Sequence, residues 1–246
     1  MRIFQTEFGH AYGRFYAFGY TSYAELAPED DPAEAYALGF LPYSTDPSVH
    51  NLLYLCRSVR VPLQAWSTTS ENRRILKKFD GVFTRTLLSR EALQQDPAFL
   101  DCFLAYFAGR HTDSSMPRAR VLGILESALP LRGVRYDTET GPVAYVLEVV
   151  GETFIHYWYS CYDLAYVEKS LGMWLMLDSV RQAKAGGKAY AYLGTAYGDK
   201  GKYKMNLEPL EFWDGTKWNA NPTLLKQRIK EDAERTVSFP DRLASP

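Results

Sequence analysis

The chain has 246 residues, is 46% hydrophobic and 23% charged, and carries a formal net charge of −1, a composition that fits one large or two small globular domains. No apolar run approaches the ~20 residues that cross a bilayer, and the opening MRIFQTEFGHAYGRF lacks a signal peptide's apolar core, so a cytoplasmic protein without a membrane partner is expected. Cys56, Cys102 and Cys161 are odd in number and far apart, and the four histidines are scattered, which argues against a disulfide framework and leaves no case for a metal.

Charge is unevenly spread. Residues 1–50 hold seven acids against Arg2 and Arg14, whereas 57–90 hold eight bases against Glu71 and Asp80, and 181–204 hold Arg181 and five lysines against Asp199. Basic patches on a near-neutral protein can dock a polyanion by releasing its condensed counterions; solvated helix faces would look the same.

In chain order, the acidic residues 28–34 (PEDDPAE) are expected as a surface loop. Residues 58–66 read as a strand with a proline at its edge. The following STTSENRRILKKF reads as a helix with Thr68 as N-cap and Glu71 completing a capping box. A second helix is expected from Asp96-Pro97, with Gly109 at its exit. The polar stretch 110–120 is the candidate boundary between an N-terminal lobe, 1–110, and a second domain, 111–246. After it, RVLGILESALPL has helical periodicity, and PVAYVLEVV and TFIHYWYSCY read as strands joined by a tight two-residue link at Gly151-Glu152. SLGMWLMLDSVRQAKAGG reads as one helix, KAYAYLGTAY as an aromatic strand, and PTLLKQRIKEDAER as a last helix capped by Asn221. A strand, a crossover helix and a returning strand imply an α/β sheet with a parallel pair, placing 188–197 beside 153–161.

Two of these stretches resemble one family. Ser170-Leu171-Gly172 opening a helix, the exit near Ala183-Lys184, the strand Tyr190 to Gly194, then Lys200, Tyr203-Lys204, Pro209 and Glu211 follow the order of the arginyl-tRNA–protein transferases and their bacterial leucyl relatives. Upstream, Cys56, Arg60-Val61-Pro62 and Arg73-Arg74 are similar to that family's N-terminal block. The resemblance implies an acetyltransferase-like (GNAT) mixed α/β sheet flanked by helices, with a smaller α+β N-terminal lobe. It also implies an enzyme that moves an amino acid from aminoacyl-tRNA to the N-terminal amine of an acceptor protein, with RNA rather than DNA as the nucleic-acid partner. The family clusters several cysteines before the basic helix; here Cys56 stands alone, so no cofactor is expected.

The chemistry requires a neutral amine, a stabilised oxyanion and a proton for the departing ribose oxygen. Ser170, Leu171 and Gly172 at a helix start could hold phosphate or sugar, or could be an N-cap and a packing glycine. Tyr192, Tyr197 and Tyr203 could give a proton or line a pocket, or could be ordinary strand tyrosines. Gly194, Lys200 and Lys204, with Lys202, suit contact with the donor, and Asp163 could accept a proton or hold the acceptor's ammonium, unless it only starts a turn. Arg60, Arg73, Arg74 and Lys77 are the candidate tRNA contacts. His156 reads as a structural histidine. Two other readings stay open: an acyl-coenzyme A N-acyltransferase, against which the missing glycine-rich pyrophosphate loop counts, and a non-catalytic RNA- or peptide-binding relative.

Overall fold

Two sheets divide the chain. The computed structural model describes residues 1–8, 19–110 and 116–243. The strands β1 (Arg2–Phe8) and β2 (Gly19–Glu25) pair antiparallel, and β3 (Phe40–Pro42) and β4 (Leu52–Leu55) complete a four-stranded sheet in the order β1-β2-β4-β3. A short helix, α1 (Pro32–Ala37), precedes β3 and begins inside the acidic stretch expected as loop. Asp31 accepts the Ala33 N–H at 2.9 Å, and Pro32 presets the first helical φ; those two local effects outweigh the clustered charge.

Next come β5 (Ser58–Pro62), α2 (Ser70–Leu76), β6 (Thr84–Leu88), α3 (Arg90–Gln95), α4 (Pro97–Arg110) and α5 (Arg118–Leu125). The cap of α2 is Thr69, which accepts the Asn72 N–H at 3.1 Å, one residue later than expected; Glu71 turns instead to Arg74 at 2.6 Å, so no capping box forms. Gly109 lies within α4 rather than at its exit. A Cβ there would stand 2.6 Å from a methyl of the exposed Leu164, so the helix passes close beneath that side chain. The expected boundary at 110–120 lies partly outside the described residues.

The C-terminal half runs β7 (Leu131–Thr138), β8 (Gly141–Val150), β9 (Phe154–Tyr162), a 3-10 turn (Leu164–Lys169), α6 (Leu171–Ala185), β10 (Tyr190–Thr195), a second 3-10 turn (Asp199–Asn206), β11 (Glu211–Trp213), β12 (Trp218–Asn219) and α7 (Pro222–Leu243). These strands join β5 and β6 in one eight-stranded sheet, β12-β11-β5-β10-β9-β8-β7-β6, in which β9 and β10 run parallel and their neighbours antiparallel. This is the mixed α/β sheet expected. The link from β8 to β9 is three residues, one longer than read. Seven consecutive residues of β8, from Val143 to Val149, are buried, because both faces of the strand are covered. On one face α6 packs Trp174, Leu175, Leu177 and Val180 into the main core; on the other, the smaller sheet contributes Leu53 and Phe40, and α1 contributes Tyr36, to a second cluster with Val149, Phe154 and Tyr192. Asn221 caps α7 through bonds from the Thr223 and Leu224 N–H groups, as its sequence predicts. Among the described residues no helix is long and apolar enough to cross a membrane, and no group of His, Cys, Asp and Glu is arranged to hold a metal.

Candidate active site

The ladder between β9 and β10 covers only three positions, Tyr190↔Phe154, Ala191↔Ile155 and Tyr192↔His156, although β9 runs on to Tyr162 and β10 to Thr195. Past Tyr192, β10 shifts register against β5, and Gly194 adopts φ +83, a left-handed conformation that a side chain would resist. A cleft of about 1180 Å³ opens there, walled by Tyr157 to Ser160 and Tyr162 of β9, by Leu193, Gly194 and Thr195 of β10, and by Tyr43, Ser44 and Tyr54 from the smaller sheet's side. Open α/β sheets bind ligands at such carboxyl ends of parallel strands.

The start of α6 forms one wall. Ser170 has φ 69, rare for a non-glycine residue, and its hydroxyl caps nothing, so the expected N-cap role is not taken. Gly172 meets Tyr162 so closely that a Cβ would lie 2.9 Å from the phenol oxygen. The first N–H groups of α6 have no partner within the helix, and its dipole is positive at this end.

Lys204 sits at the inner end of the second 3-10 turn. It is 9% exposed, its Nζ donates to the Thr195 carbonyl at 2.5 Å, and no carboxylate pairs with it among the described residues. Burial lowers its pKa to about 8. His156, 1% exposed, also lines the cleft; its Nδ1 lies 2.9 Å from the Tyr36 hydroxyl, and its Nε2 has no partner among the described residues. Burial, with Lys204 nearby, lowers the imidazole's pKa to about 3, so it is neutral. Cys56, behind Lys204, is raised to about 12 by burial and is an unreactive thiol. Opposite, Arg120 donates to the Ser44 carbonyl at 2.8 Å, and Ser44 Oγ meets the Tyr159 hydroxyl at 2.7 Å.

Of the residues singled out in the sequence, Ser170, Gly172, Gly194, Lys200, Tyr203 and Lys204 all line the cleft. Leu171, adjacent to them, is wholly buried. Asp163 is exposed and accepts the Ala165 N–H at 2.9 Å, starting the 3-10 turn. Tyr192 is buried among Tyr36, Phe154 and Trp218, with its hydroxyl 3.3 Å from Arg60. Arg60 is 8% exposed, bonded to Glu211 at 2.8 Å and held between the rings of Tyr190 and Trp218. The Tyr197 hydroxyl accepts the Arg57 N–H at 2.7 Å. Arg73, Arg74 and Lys77 lie together on the exposed face of α2, whose Ile75 reaches the cleft wall. His156, Arg120 and Tyr162 were missed as site residues; they come from two separate elements, β9 and α5, and nothing local in the sequence marks them.

Fold and cleft together define an acyltransferase of the GNAT class, and the family described as "Acetyltransferase (GNAT) domain" matches residues 67–205. A protein of Methylorubrum extorquens named aspartate/glutamate leucyltransferase is 30% identical over 176 residues, covering 63% of this chain and 68% of that one. One of the same name from Phenylobacterium zucineum is 28% identical over 185 residues, covering 70% and 69%. The crystal structure of FemX aligns with TM-score 0.48 and 9% identity over 71% of this chain and 63% of that chain, a likeness too distant to bear on function. The chain belongs to the aspartate/glutamate leucyltransferase family, on a GNAT fold, and is an enzyme of the acyl-transferring kind.

Proposed function

We propose that this enzyme transfers leucine from leucyl-tRNA to the N-terminal amine of proteins that begin with aspartate or glutamate. The observation that carries the reading is the cleft itself, in a chain whose relatives bear the leucyltransferase name. Pockets for one small ligand hold ~300–1,000 Å³; at about 1180 Å³ this one has room for both an aminoacyl nucleoside and an acceptor's first residue. One wall, with Ser170, Gly172, Lys200 and Tyr203, suits the ribose and phosphates of a tRNA terminus. The other, with Arg120 beside Ser44 and Tyr159, suits the carboxylate of an acidic acceptor residue.

Leucine is chosen over arginine for two reasons: the relatives' names, and the aromatic and aliphatic lining of the cleft, which among the described residues supplies no carboxylate other than Asp199 at its mouth. Contact with the body of the tRNA is assigned to Arg73, Arg74 and Lys77 of α2, within the segment before residue 110. The reaction belongs in the cytoplasm, where charged tRNA is made. Incubating the purified protein with leucyl-, arginyl- and phenylalanyl-tRNA, or with acetyl-coenzyme A, and peptides beginning with Asp, Glu or Ala tests the reading by mass spectrometry. Leucine on the Asp and Glu peptides is expected; acetylation with no aminoacyl transfer would replace the reading with an acyl-coenzyme A enzyme.

A further inference from the structure

The transfer needs the acceptor's α-amine in its neutral form, and something must take its proton. From the geometry we infer that Lys204, unpaired and buried where the cleft ends between β9 and β10, is the general base that deprotonates the acceptor amine. This inference rests on the aminoacyl-transfer reading above and adds to it the group that moves the proton.

Three observations point to it. Lys204 lines the cleft, yet is nine-tenths buried and meets only a neutral carbonyl, that of Thr195. A buried ammonium without a countercharge is costly, so the neutral amine is favoured. Among the described residues the surroundings supply no anion to reverse this. Cys56 faces it from the link between β4 and β5 as a protonated thiol, His156 faces it from β9 as a neutral imidazole, and the Tyr203 ring lies 5.7 Å away on its own turn. Asp232 of α7 is bonded to Arg57 at 2.7 Å and to the Gly198 N–H at 3.0 Å. The pKa of about 8 then matches that of a free α-amino group, about 8, so the proton passes between near equals.

The step balances without a further reactant. Neutral Lys204 takes a proton from the acceptor's ammonium; the freed nitrogen attacks the ester carbonyl carbon, forming the C–N bond. The attacking nitrogen then gives its second proton to solvent; as the tetrahedral intermediate collapses to the neutral amide, the carbon–oxygen bond to the ribose breaks, and Lys204 returns its proton to the departing oxygen. Of the other lysines of the same loop, Lys202 is paired with Asp199 at 2.5 Å and lies outside the cleft lining, while Lys200, in the lining, is exposed to solvent and lacks the burial of Lys204.

The test compares wild type with Lys204→Arg, Lys204→Met and Lys204→Ala in leucyl transfer to an Asp-initiated peptide, with thermal melting as the check on folding. Arginine keeps charge but cannot deprotonate, and methionine keeps bulk without a proton. Both are expected to lower kcat on the order of 10²–10⁴-fold, the usual contribution of a general base. Ethylamine and weaker primary amines are expected to restore peptide leucylation to Lys204→Ala, at rates that follow their basicity. Retention of a tenth or more of kcat by a folded Lys204→Arg would overturn the inference while leaving the proposed function standing. Absence of transfer by wild type would instead overturn that function. Independently of activity, NMR titration of ¹³Cε-labelled lysine, assigned with Lys204→Arg, is expected to place Lys204 near 8, and a midpoint near the ordinary 10.5 would overturn the inference by itself.

Discussion

Charged side chains are buried in two regions of the large sheet, on opposite faces, and the two are treated differently. Under α6, Asp178 accepts from the Tyr136 hydroxyl and from Arg181, each at 2.8 Å, and forms an ion pair with Arg85 at 3.2 Å, while Glu148 accepts from Ser179 at 2.7 Å and pairs with Arg132 at 2.8 Å. Every charge there has its opposite. At the cleft, Lys204 has one carbonyl, and His156 has one hydroxyl with a nitrogen left over. In the strands these side chains alternate: Glu148 pairs across from Tyr157, and Val149 from His156, so the two polar sites look out of opposite sides of one ladder. A fully paired site holds a fold together. An under-paired one disfavours the charged forms and draws a lysine's pKa down toward neutrality, which is what proton transfer needs.

The paired region breaks most severely. Asp178→Ala leaves Arg85, Arg181 and the Tyr136 hydroxyl facing an empty position, and removing one partner of a buried pair costs about 3–5 kcal/mol. Denaturant unfolding is expected to show that loss, with transfer per folded molecule unchanged. A loss under ~1 kcal/mol would mean that solvent already serves these arginines.

The same substitution logic has the opposite sign at the cleft. Lys204→Met removes a buried charge that nothing compensates, and is expected to stabilise the protein by about 1–3 kcal/mol at neutral pH while slowing transfer on the order of 10²–10⁴-fold. The pH dependence carries the sign. Because the folded pKa is lowered from 10.5 to about 8, the unfolded chain binds the extra proton between those values, so wild-type stability climbs as pH rises from 8 to 10.5. The methionine variant should lack that climb. His156, lowered from 6.5 to about 3, gives wild type a second climb from pH 3 to 6.5, that is, a loss of stability as pH falls through this window. His156→Gln should flatten it, as measured by unfolding at pH 4, 5 and 6.5.

How much of this contrast could be read from residues alone follows from the distance over which each part is assembled. The unit β9–α6–β10 was legible, because Leu171, Trp174, Leu175, Leu177 and Val180 repeat with helical period between two aromatic strands. So was the loop that holds Lys200 to Lys204. The depth of Lys204 was not: GDKGKYK looks like solvated loop, and it is the 3-10 turn from Asp199 to Asn206 that carries every third residue inward, burying Gly201 and Lys204 while Lys200 stays at the mouth. β7 was not read as a strand, since arginines at 132 and 135 interrupt its alternation; both prove to be half-buried partners of carboxylates. His156 looked like a structural histidine, and its bond to Tyr36 is structural. What periodicity could not reveal is that β9 is covered on both faces and then parts from β10, leaving Nε2 unpartnered beside the cleft.

Tyr36→Phe makes a smaller change in the same site. It removes one neutral hydrogen bond, worth ~1 kcal/mol, and frees the imidazole to turn. A modest drop in stability, with kcat reduced less than by Lys204→Met, is expected. Equal kcat losses in the two variants would place His156, rather than Lys204, at the centre of the chemistry.

The smallest effect is expected at neither buried region but on the surface beside them. Helix α2 buries Asn72, Ile75 and Leu76 and turns Arg73, Arg74 and Lys77 to solvent. Arg74 is engaged by Glu71, and Arg73 donates to the Thr68 carbonyl at 2.6 Å, both fully solvated contacts that add little to the fold. Replacing all three by alanine should therefore leave folding and the cleft intact. If these cations sit on tRNA phosphates, each displaces counterions, and affinity falls with salt by a log–log slope of ~0.7–0.9 per contact. The triple variant should bind tRNA more weakly at low salt, with a slope shallower by roughly 2, while kcat at saturating leucyl-tRNA stays as in wild type. The effect should shrink as salt rises, because screened contacts have less to lose. A salt dependence that does not change would move the tRNA off α2, and the lysines at the mouth of the cleft would be the next group to replace.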